Sequence, residues 1–416
     1  MKRNRWLIAA SAVGIHISIG SVYAWSVLAR PVMETMGLSL SETTWAFSVA
    51  ILFLGFSAAF LGRFVERIGP MASGLLSALF FGTGMLGTAL AVTLHSGALL
   101  YFFYGAVGGI GLGIGYITPV ATLVKWFPTR RGFATGLAIM GFGFAALVAG
   151  PLMQYLVRTV GLTENFIIMG IAYALVMSAS ALYLAPPKPG EIAETIEDVM
   201  KKETGNKNAV SAKRQLTRAE AIRTKEFWAL WTVFFINITC GIGLLAVASP
   251  MAQDVIGMSA EAAASLVGII GVVNGAGRIG WASVSDRIGR GNVYALFFLL
   301  EVFSFIALAD TKSETVFYVL VLLIVSCYGG GFSCMPAYLA DLFGVRQLSS
   351  IHGSILTAWG LAGIAGPLLL TLMKEATGGY MATLYVFAAL LTCAFLLALM
   401  LRRNGRVRGE VVVEHE

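Results

Sequence analysis

The chain alternates long apolar stretches with shorter polar segments. Breaking the apolar stretches at charged residues, glycine and proline predicts helices of about 20 residues, long enough to cross the ~30 Å hydrocarbon core of a bilayer. The twelve predicted spans are 6–29, 43–62, 70–94, 97–124, 132–157, 163–185, 227–252, 262–285, 292–310, 315–340, 350–373 and 379–401. Because their number is even, both chain termini are expected on the same side of the membrane.

Composition agrees with this pattern. Hydrophobic residues make up 57% of the 416 residues and charged residues only 12%, whereas soluble domains carry roughly 25% charged residues. The mean hydropathy is +0.81. The N-terminal segment MKRNRW leads into the first span without a small-residue cleavage pattern, so that span is expected to be retained. The composition therefore predicts an all-α integral membrane protein rather than a soluble domain.

Basic residues predict the orientation of the spans. The N-terminus, the loops after even-numbered spans and the C-terminal tail hold 24 of the 29 Lys and Arg residues. The opposite loops hold Arg30, Arg158, Lys312 and Lys374. Since Lys and Arg are enriched in cytoplasmic loops, both termini are expected in the cytoplasm. The net charge of +7 then follows from topology, and no nucleic-acid partner is expected.

The chain is predicted to consist of two related halves. Residues 126–151 and 342–367 align without a gap at an offset of 216. Two repeats in the same orientation are typical of one large class of transporters. Thr217 and Glu220 have the spacing of a capping box, which predicts a short helix before span seven. The predicted order is a six-helix bundle, a cytoplasmic linker, a second six-helix bundle and a cytoplasmic tail: 1–185, 186–226, 227–401 and 402–416.

One basic residue, Arg278, lies inside an apolar run instead of at its end. A charged side chain at the centre of a membrane helix costs at least about 2.5–3.5 kcal/mol, so it is expected to face protein, water or a partner. Residues at helical spacing from it form a small and polar face: Gly271, Asn274, Gly275, Ala282 and Ser285. This face favours a water-filled pathway. The alternative is an internal ion pair, for which the other spans offer few acidic residues.

Two short motifs carry a family resemblance. GRFVERIG stands at 62–69 after span two, and a looser copy, ASVSDRIG, stands at 282–289 after span eight. With twelve spans and a central linker, the chain resembles the major facilitator superfamily. GSVYAWSV in span one, KWFP-x-RRG after span four, T-x-EFW-x-LW entering span seven and A-x-G in span eleven resemble its branch of oxalate/formate antiporters and bacterial monocarboxylate transporters.

The resemblance implies that Arg278 is the cation that binds a substrate carboxylate. An arginine suits this role because its planar fork makes two parallel hydrogen bonds and stays charged. Oxalate exchangers carry a lysine where this chain has Trp359, and monocarboxylate relatives often carry an aspartate where it has Asn274. One fixed cation balances one carboxylate, so small monocarboxylates such as lactate or pyruvate are the expected substrates.

Several further residues are candidates for the substrate site. Asn274 is one helical turn before Arg278, so it either orients the guanidinium or binds the substrate; the alternative is a helix-to-helix hydrogen bond. The resemblance implies that aromatic side chains line the cavity, with two leucines as apolar walls: Tyr23, Tyr116, Tyr328, Phe332, Leu28 and Leu356. The alternative for each of these is ordinary packing.

His16 and Glu301 are the candidates for carrying a proton. His16 lies deep in an apolar run, and imidazole titrates near neutral pH. The equivalent residue of the second half is Asn237, which favours a structural hydrogen bond instead. Glu301 lies midway along span nine, and the alternatives for it are a protonated or snorkelling side chain or a contact with a neighbouring helix.

Charged residues at the cytoplasmic ends of the spans are the candidates for a gate. We expect contacts between the halves that form when the cytoplasmic side closes and break when it opens. The residues concerned are Glu66, Arg67, Asp286 and Arg287, with Lys125, Arg130 and Arg131.

Taken together, these patterns predict a secondary active transporter of small monocarboxylates that works by alternating access. Proton-coupled symport is the expected mode, and the alternative is carboxylate exchange of the oxalate/formate type. An enzyme would need clustered catalytic groups at membrane depth, and a sensor would need a larger soluble domain than the linker. We expect a monomer in the inner membrane of a bacterium, surrounded by lipid and without a cofactor or metal.

Overall fold

The computed structural model describes residues 3–127, 131–188, 215–344 and 347–410. Twelve helices within this part of the chain are long and apolar enough to span a bilayer. The first six spans are Arg5–Met36, built from Arg5–Gly20, a 3-10 turn Ser21–Ala24 and Trp25–Met36; Leu40–Ile68; Pro70–Thr93; Gly97–Trp126, with a π-helical stretch Tyr101–Gly108; Arg131–Thr159; and Leu162–Tyr183. The last six are Lys225–Ala246 with Ala248–Ile256; Ala260–Ile288; Arg290–Asp310; Glu314–Phe343; Leu348–Thr377; and Met381–Glu410. The predicted all-α membrane fold is confirmed.

Local sequence signals account for the ends of several helices. Span two begins with a capping box of Ser39 and Glu42. The short helix Arg218–Ile222 begins with the capping box of Thr217 and Glu220 that the sequence predicts. The last glycine of each motif copy ends its span with a positive φ, 83° at Gly69 and 89° at Gly289. Residues other than glycine seldom adopt this conformation, so these glycines permit the turns that follow.

The two halves pack against each other through two pairs of spans, two with eleven and five with eight. Glycine allows the close approach in both pairs. A Cβ atom on Gly55 would lie 2.6 Å from the Gly360 nitrogen, and one on Gly143 would lie 2.7 Å from the Gly275 Cα. Small residues at such crossings bring backbones together in membrane helices. These two interfaces place the middle of span eight beside the first half.

The two ends of the helix bundle, one at each membrane surface, differ. We call the end that carries the chain termini the terminal face and the other end the opposite face. On the opposite face, Arg30 contacts Asp254 at 3.0 Å, and Arg158 contacts Glu261. Both ion pairs join the first six spans to the last six, so the halves are held together there.

The spans are further apart on the terminal face. Gly62, Gly136 and Gly280 lie in the parts of spans two, five and eight that point to this face. Among the described residues, no atom outside the glycine's own stretch of helix lies within 4 Å of a Cβ built on any of the three. The glycines in the middle of the same spans are in tight contact, so the halves diverge from the centre towards the terminal face.

Candidate functional site

Arg278 lies in span eight, which packs against span five of the first half, and is fully buried. Its Nε donates to the Asn274 Oδ1 at 3.1 Å, one helical turn earlier. Its Nη1 and Nη2 atoms find no hydrogen-bond partner in the part of the chain that the structure describes. The ion pairs found among the described residues do not include it. The Tyr23 and Tyr116 hydroxyls lie beside the guanidinium, and its two terminal nitrogens keep donors that an anion can use.

Two aromatic rings face the guanidinium. The Arg278 Cζ lies 5.0 Å from the centre of the Phe332 ring and 5.9 Å from that of Phe142. Rings at this distance attract a cation through their quadrupole, and the attraction is stronger where water is excluded. They stabilise the charge of Arg278 without occupying its hydrogen-bond donors.

Trp359 completes a set of four packed rings beside the Arg278 guanidinium, which we call the aromatic wall. Its ring centre lies 4.7 Å from that of Phe332, 5.1 Å from Tyr116 and 5.8 Å from Phe142. These four residues come from spans four, five, ten and eleven, so the wall is shared by both halves. All four rings are buried.

Phe142 is a residue of this site that sequence analysis missed. Its ring also contacts that of Tyr23 at 4.9 Å. Its two neighbours are glycines at close helix contacts: Gly141 faces span one and Gly143 faces span eight. The available signal was a large ring between two glycines in MGFGF, because such spacing places the ring where three helices meet.

Unpartnered hydrogen-bond donors are concentrated around Arg278. Besides its own Nη1 and Nη2, the Trp359 Nε1 and the Asn274 Nδ2 are buried without a partner among the described residues. These four atoms can only donate. The Tyr116 hydroxyl and the His16 Nδ1 also lack a described partner. Buried polar groups are normally paired, so the cluster suits a small ligand that is rich in acceptor oxygens.

Tyr23 and Tyr328 connect the two halves beside this cluster. Their hydroxyl oxygens are 2.7 Å apart, and both side chains are buried. The Tyr328 ring contacts that of Phe332 at 5.3 Å. The structure therefore brings five of the predicted aromatic residues together around Arg278: Tyr23, Tyr116, Tyr328, Phe332 and Trp359. Leu28 and Leu356 are buried as well.

The two candidate proton carriers lie in different places. The His16 Nε2 is 3.1 Å from the carbonyl oxygen of Tyr116, and its ring stacks on the Tyr116 ring at 5.4 Å. His16 thus lies behind the aromatic wall, near Arg278. Glu301 instead contacts Asn237 within the last six spans.

The candidate gate residues are exposed on the terminal face. Glu66, Arg67, Asp286 and Arg287 are all exposed, as is Lys125. Asp286 accepts from Arg290, a contact within the second half. Among the described residues, the ion pairs between halves lie on the opposite face. Arg130 and the side chain of Arg131 lie outside the part that the structure describes.

Twelve spans in two sets of six, with a buried and unpaired cation between them, define a membrane transporter rather than an enzyme. The chain belongs to the Major Facilitator Superfamily, whose family model matches residues 10–367 and 274–414. The predicted superfamily is confirmed.

Two relatives support the predicted branch. The chain is 28% identical to the oxalate:formate antiporter of Oxalobacter formigenes, over 87% of this chain and 83% of the antiporter. It is 24% identical to apicoplast pyruvate carrier 1 of Toxoplasma gondii, over 85% of this chain and 81% of the carrier.

A solved structure supports the fold. A bacterial homolog of the human lysosomal transporter Spinster, crystallised in an inward-facing and unoccupied conformation, superposes with a TM-score of 0.72. The alignment has 16% sequence identity and covers 97% of this chain and 98% of that one.

Proposed function

We propose that this transporter carries small monocarboxylates, such as lactate or pyruvate, and that Arg278 binds the carboxylate. The single observation that carries the proposal is the fully buried guanidinium whose Nη1 and Nη2 lack a described partner. A carboxylate offers two parallel acceptor oxygens, which match that fork. The similarity to carriers of formate, oxalate and pyruvate favours the same ligand chemistry.

The number of cations favours one carboxylate over two. Trp359 stands against the Phe332 and Tyr116 rings where the resemblance implies a lysine in oxalate exchangers. Its Nε1 can donate one hydrogen bond but carries no charge. The second carboxylate of a dianion would therefore enter the aromatic wall without a counter-charge, and its desolvation would be costly.

The remaining wall residues are proposed to fit the rest of the substrate. The Asn274 Nδ2 has no partner among the described residues, so it is suited to donate to a hydroxyl or keto oxygen of the substrate. The aromatic side chains, with Leu28 and Leu356, would exclude water from the short apolar part of a lactate or pyruvate.

Transport is proposed to proceed by alternating access between the two halves. We infer that both termini lie in a bacterial cytoplasm, which makes the terminal face the cytoplasmic one. The ion pairs Arg30–Asp254 and Arg158–Glu261 then join the halves on the external side. A bound carboxylate neutralises Arg278 and so lowers the cost of closing the cytoplasmic side. The exposed charges of the two GRFVERIG-like motifs would then form contacts between the halves.

Proton symport is the proposed mode of coupling. Moving one proton with one carboxylate transfers no net charge, so a proton gradient can drive accumulation. Exchange of two carboxylates is the second candidate, and the similarity to the oxalate:formate antiporter favours it.

Uptake of labelled lactate and pyruvate into proteoliposomes tests the proposal. Wild-type protein is expected to accumulate substrate when an inward proton gradient is imposed without internal substrate. Arg278→Ala is expected to lose that uptake, and Arg223→Ala, a change in the short polar segment before span seven, is the matched control. Full uptake by Arg278→Ala would refute the assigned site. Uptake that needs internal substrate and ignores the gradient would favour exchange.

A further inference from the structure

Glu301 is a buried acidic side chain away from the Arg278 cluster. It lies midway along span nine and has no exposed surface. The Asn237 Nδ2 donates to its two carboxyl oxygens at 3.2 and 3.1 Å. The described ion pairs do not include Glu301. A buried carboxylate without a counter-charge is strongly unfavourable, so one neutral amide is a sufficient partner only for the protonated form.

The described residues of the spans around Glu301 supply no counter-charge within the membrane. Cys240 of span seven and Cys327 of span ten are the titratable groups near it. Tyr294, on its own helix, donates its hydroxyl proton to the Gly331 carbonyl instead. Span twelve packs along span nine and has no charged residue between 381 and 401. The charged residue inside span eight is Arg278, which faces the aromatic wall.

Asn237 also touches the helix that carries part of the Arg278 site. Its Oδ1 has no described partner and lies 2.4 Å from the position of a Cβ built on Gly331. The next residue of span ten is Phe332, whose ring faces Arg278. One turn before Asn237, the Phe234 ring contacts the Phe332 ring at 5.1 Å. A shift of Asn237 would therefore displace the turn of span ten that holds the ring on the guanidinium.

We propose that Glu301 is the proton-binding residue of the transport cycle and that Asn237 is its positioning residue. The inference rests on the proposed symport function and names the proton site within it. A proton from water forms an O–H bond with the Glu301 carboxylate when the site is hydrated. A turn of the Asn237 amide then lets the acid O–H donate to Oδ1, while Nδ2 donates back to the carboxyl group. The same O–H bond breaks, and the proton returns to water on the other side.

Coupling follows from the shared turn of span ten. With the proton bound, the Glu301–Asn237 pair holds Gly331 and Phe332 in place against Arg278. Without it, the carboxylate draws water between spans seven and nine and loosens that turn. A stable occluded state then requires both the proton and the substrate anion, whose charges cancel.

Glu301→Gln is the informative variant, because glutamine keeps the neutral charge and the hydrogen bonding of a protonated glutamate. Two assays on proteoliposomes distinguish its effects. One measures accumulation of labelled lactate or pyruvate, whichever the wild type takes up, driven by a proton gradient. The other measures exchange against the same internal substrate at equal pH. We expect gradient-driven accumulation to be lost and exchange to remain within about twofold of wild type.

Glu314→Gln is the matched control, since Glu314 is exposed in the first turn of span ten, and it should behave as wild type. Accumulation by Glu301→Gln would overturn the proton site while leaving the transport function intact. Loss of accumulation in His16→Gln but not in Glu301→Gln would transfer the role to His16. A wild type that ignores the gradient would refute symport itself.

Infrared spectroscopy of the wild type keeps the proposal testable if Glu301→Gln does not fold. A buried protonated carboxyl group is expected to give a C=O band that the Glu314→Gln variant retains. The band is expected to change when lactate or pyruvate is added. Absence of such a band from the wild type would overturn the proposal.

Discussion

Arg278 and Glu301 are both fully buried ionisable side chains of the last six spans, yet their surroundings are opposite. Arg278 stands among hydrogen-bond donors that lack acceptors in the described part of the chain. Glu301 has a neutral amide on both of its oxygens. The first group keeps donors for a ligand that comes from outside. The second can be satisfied by a proton alone.

This difference separates a site for an anion from a site for a proton. Hydrogen bonds to charged groups contribute about 1.5–3 kcal/mol each, so two free guanidinium donors offer considerable binding energy to a carboxylate. Glu301 offers little to an anion, because the one described donor beside it, the Asn237 Nδ2, already donates to its carboxyl group. Charge alone does not identify a binding residue; the unfilled hydrogen bonds around the charge do.

Among variants that keep Arg278, the largest effect is expected from a second cation beside it. Trp359→Lys places an ammonium group in the wall beside Arg278, and a charge-assisted hydrogen bond becomes available to the second carboxylate of a dianion. We expect binding of oxalate relative to lactate to rise by about tenfold or more. Titration calorimetry on purified protein measures both affinities.

Trp359→Phe is the control for that change, because it removes the indole without adding charge. The relative affinity for oxalate and lactate should then stay near that of wild type. An equal shift in both variants would mean that space, not charge, determines the choice of substrate.

A smaller effect, on stability, is expected when Glu301 loses the hydrogen bonds that Asn237 donates. Asn237→Ala removes both hydrogen bonds to a buried carboxyl group, which should reduce the free energy of unfolding by about 1–3 kcal/mol. Thermal unfolding in detergent measures the loss. Asn165→Ala is the matched control, since Asn165 is equally buried but its side-chain nitrogen and oxygen have no described partner. Equal destabilisation by the two changes would contradict the account of Glu301.

The smallest effect is expected at Asn274, which accepts a hydrogen bond from the Arg278 Nε. Asn274→Ala leaves Nε free in a group that already has free donors, so stability should change little. Its loss should let the guanidinium turn and weaken lactate binding about threefold to tenfold. The same calorimetric titration checks this. A large loss of thermal stability with unchanged affinity would assign Asn274 a structural role.

The sequence was sufficient to predict the spans and to predict that Arg278 faces protein rather than lipid. The length of an apolar run identifies a membrane helix, and a charged residue inside that run is visible in the sequence itself. The 3-10 turn at Ser21–Ala24 was not predicted, because its residues suit a helix and the packing of neighbouring spans determines the local winding.

Other features depend on contacts between distant parts of the chain. Phe142 is an apolar residue in an apolar helix, and its place beside Arg278 arises only when spans from both halves meet. The Arg30–Asp254 pair joins residues 224 positions apart, so no local pattern could indicate it. The sequence predicted the charges of the terminal face as the gate, whereas the described ion pairs between halves lie on the opposite face.

The most direct test is calorimetric binding of lactate and pyruvate to the purified protein and to its Arg278→Gln variant. Glutamine keeps a polar side chain but removes the charge and the fork. The account predicts measurable binding by wild type, weakened by at least about a hundredfold in the variant because two charge-assisted bonds are lost. Thermal unfolding should show that the variant is folded. Equal affinity in the two proteins would contradict the claim that the unpaired arginine is the carboxylate site.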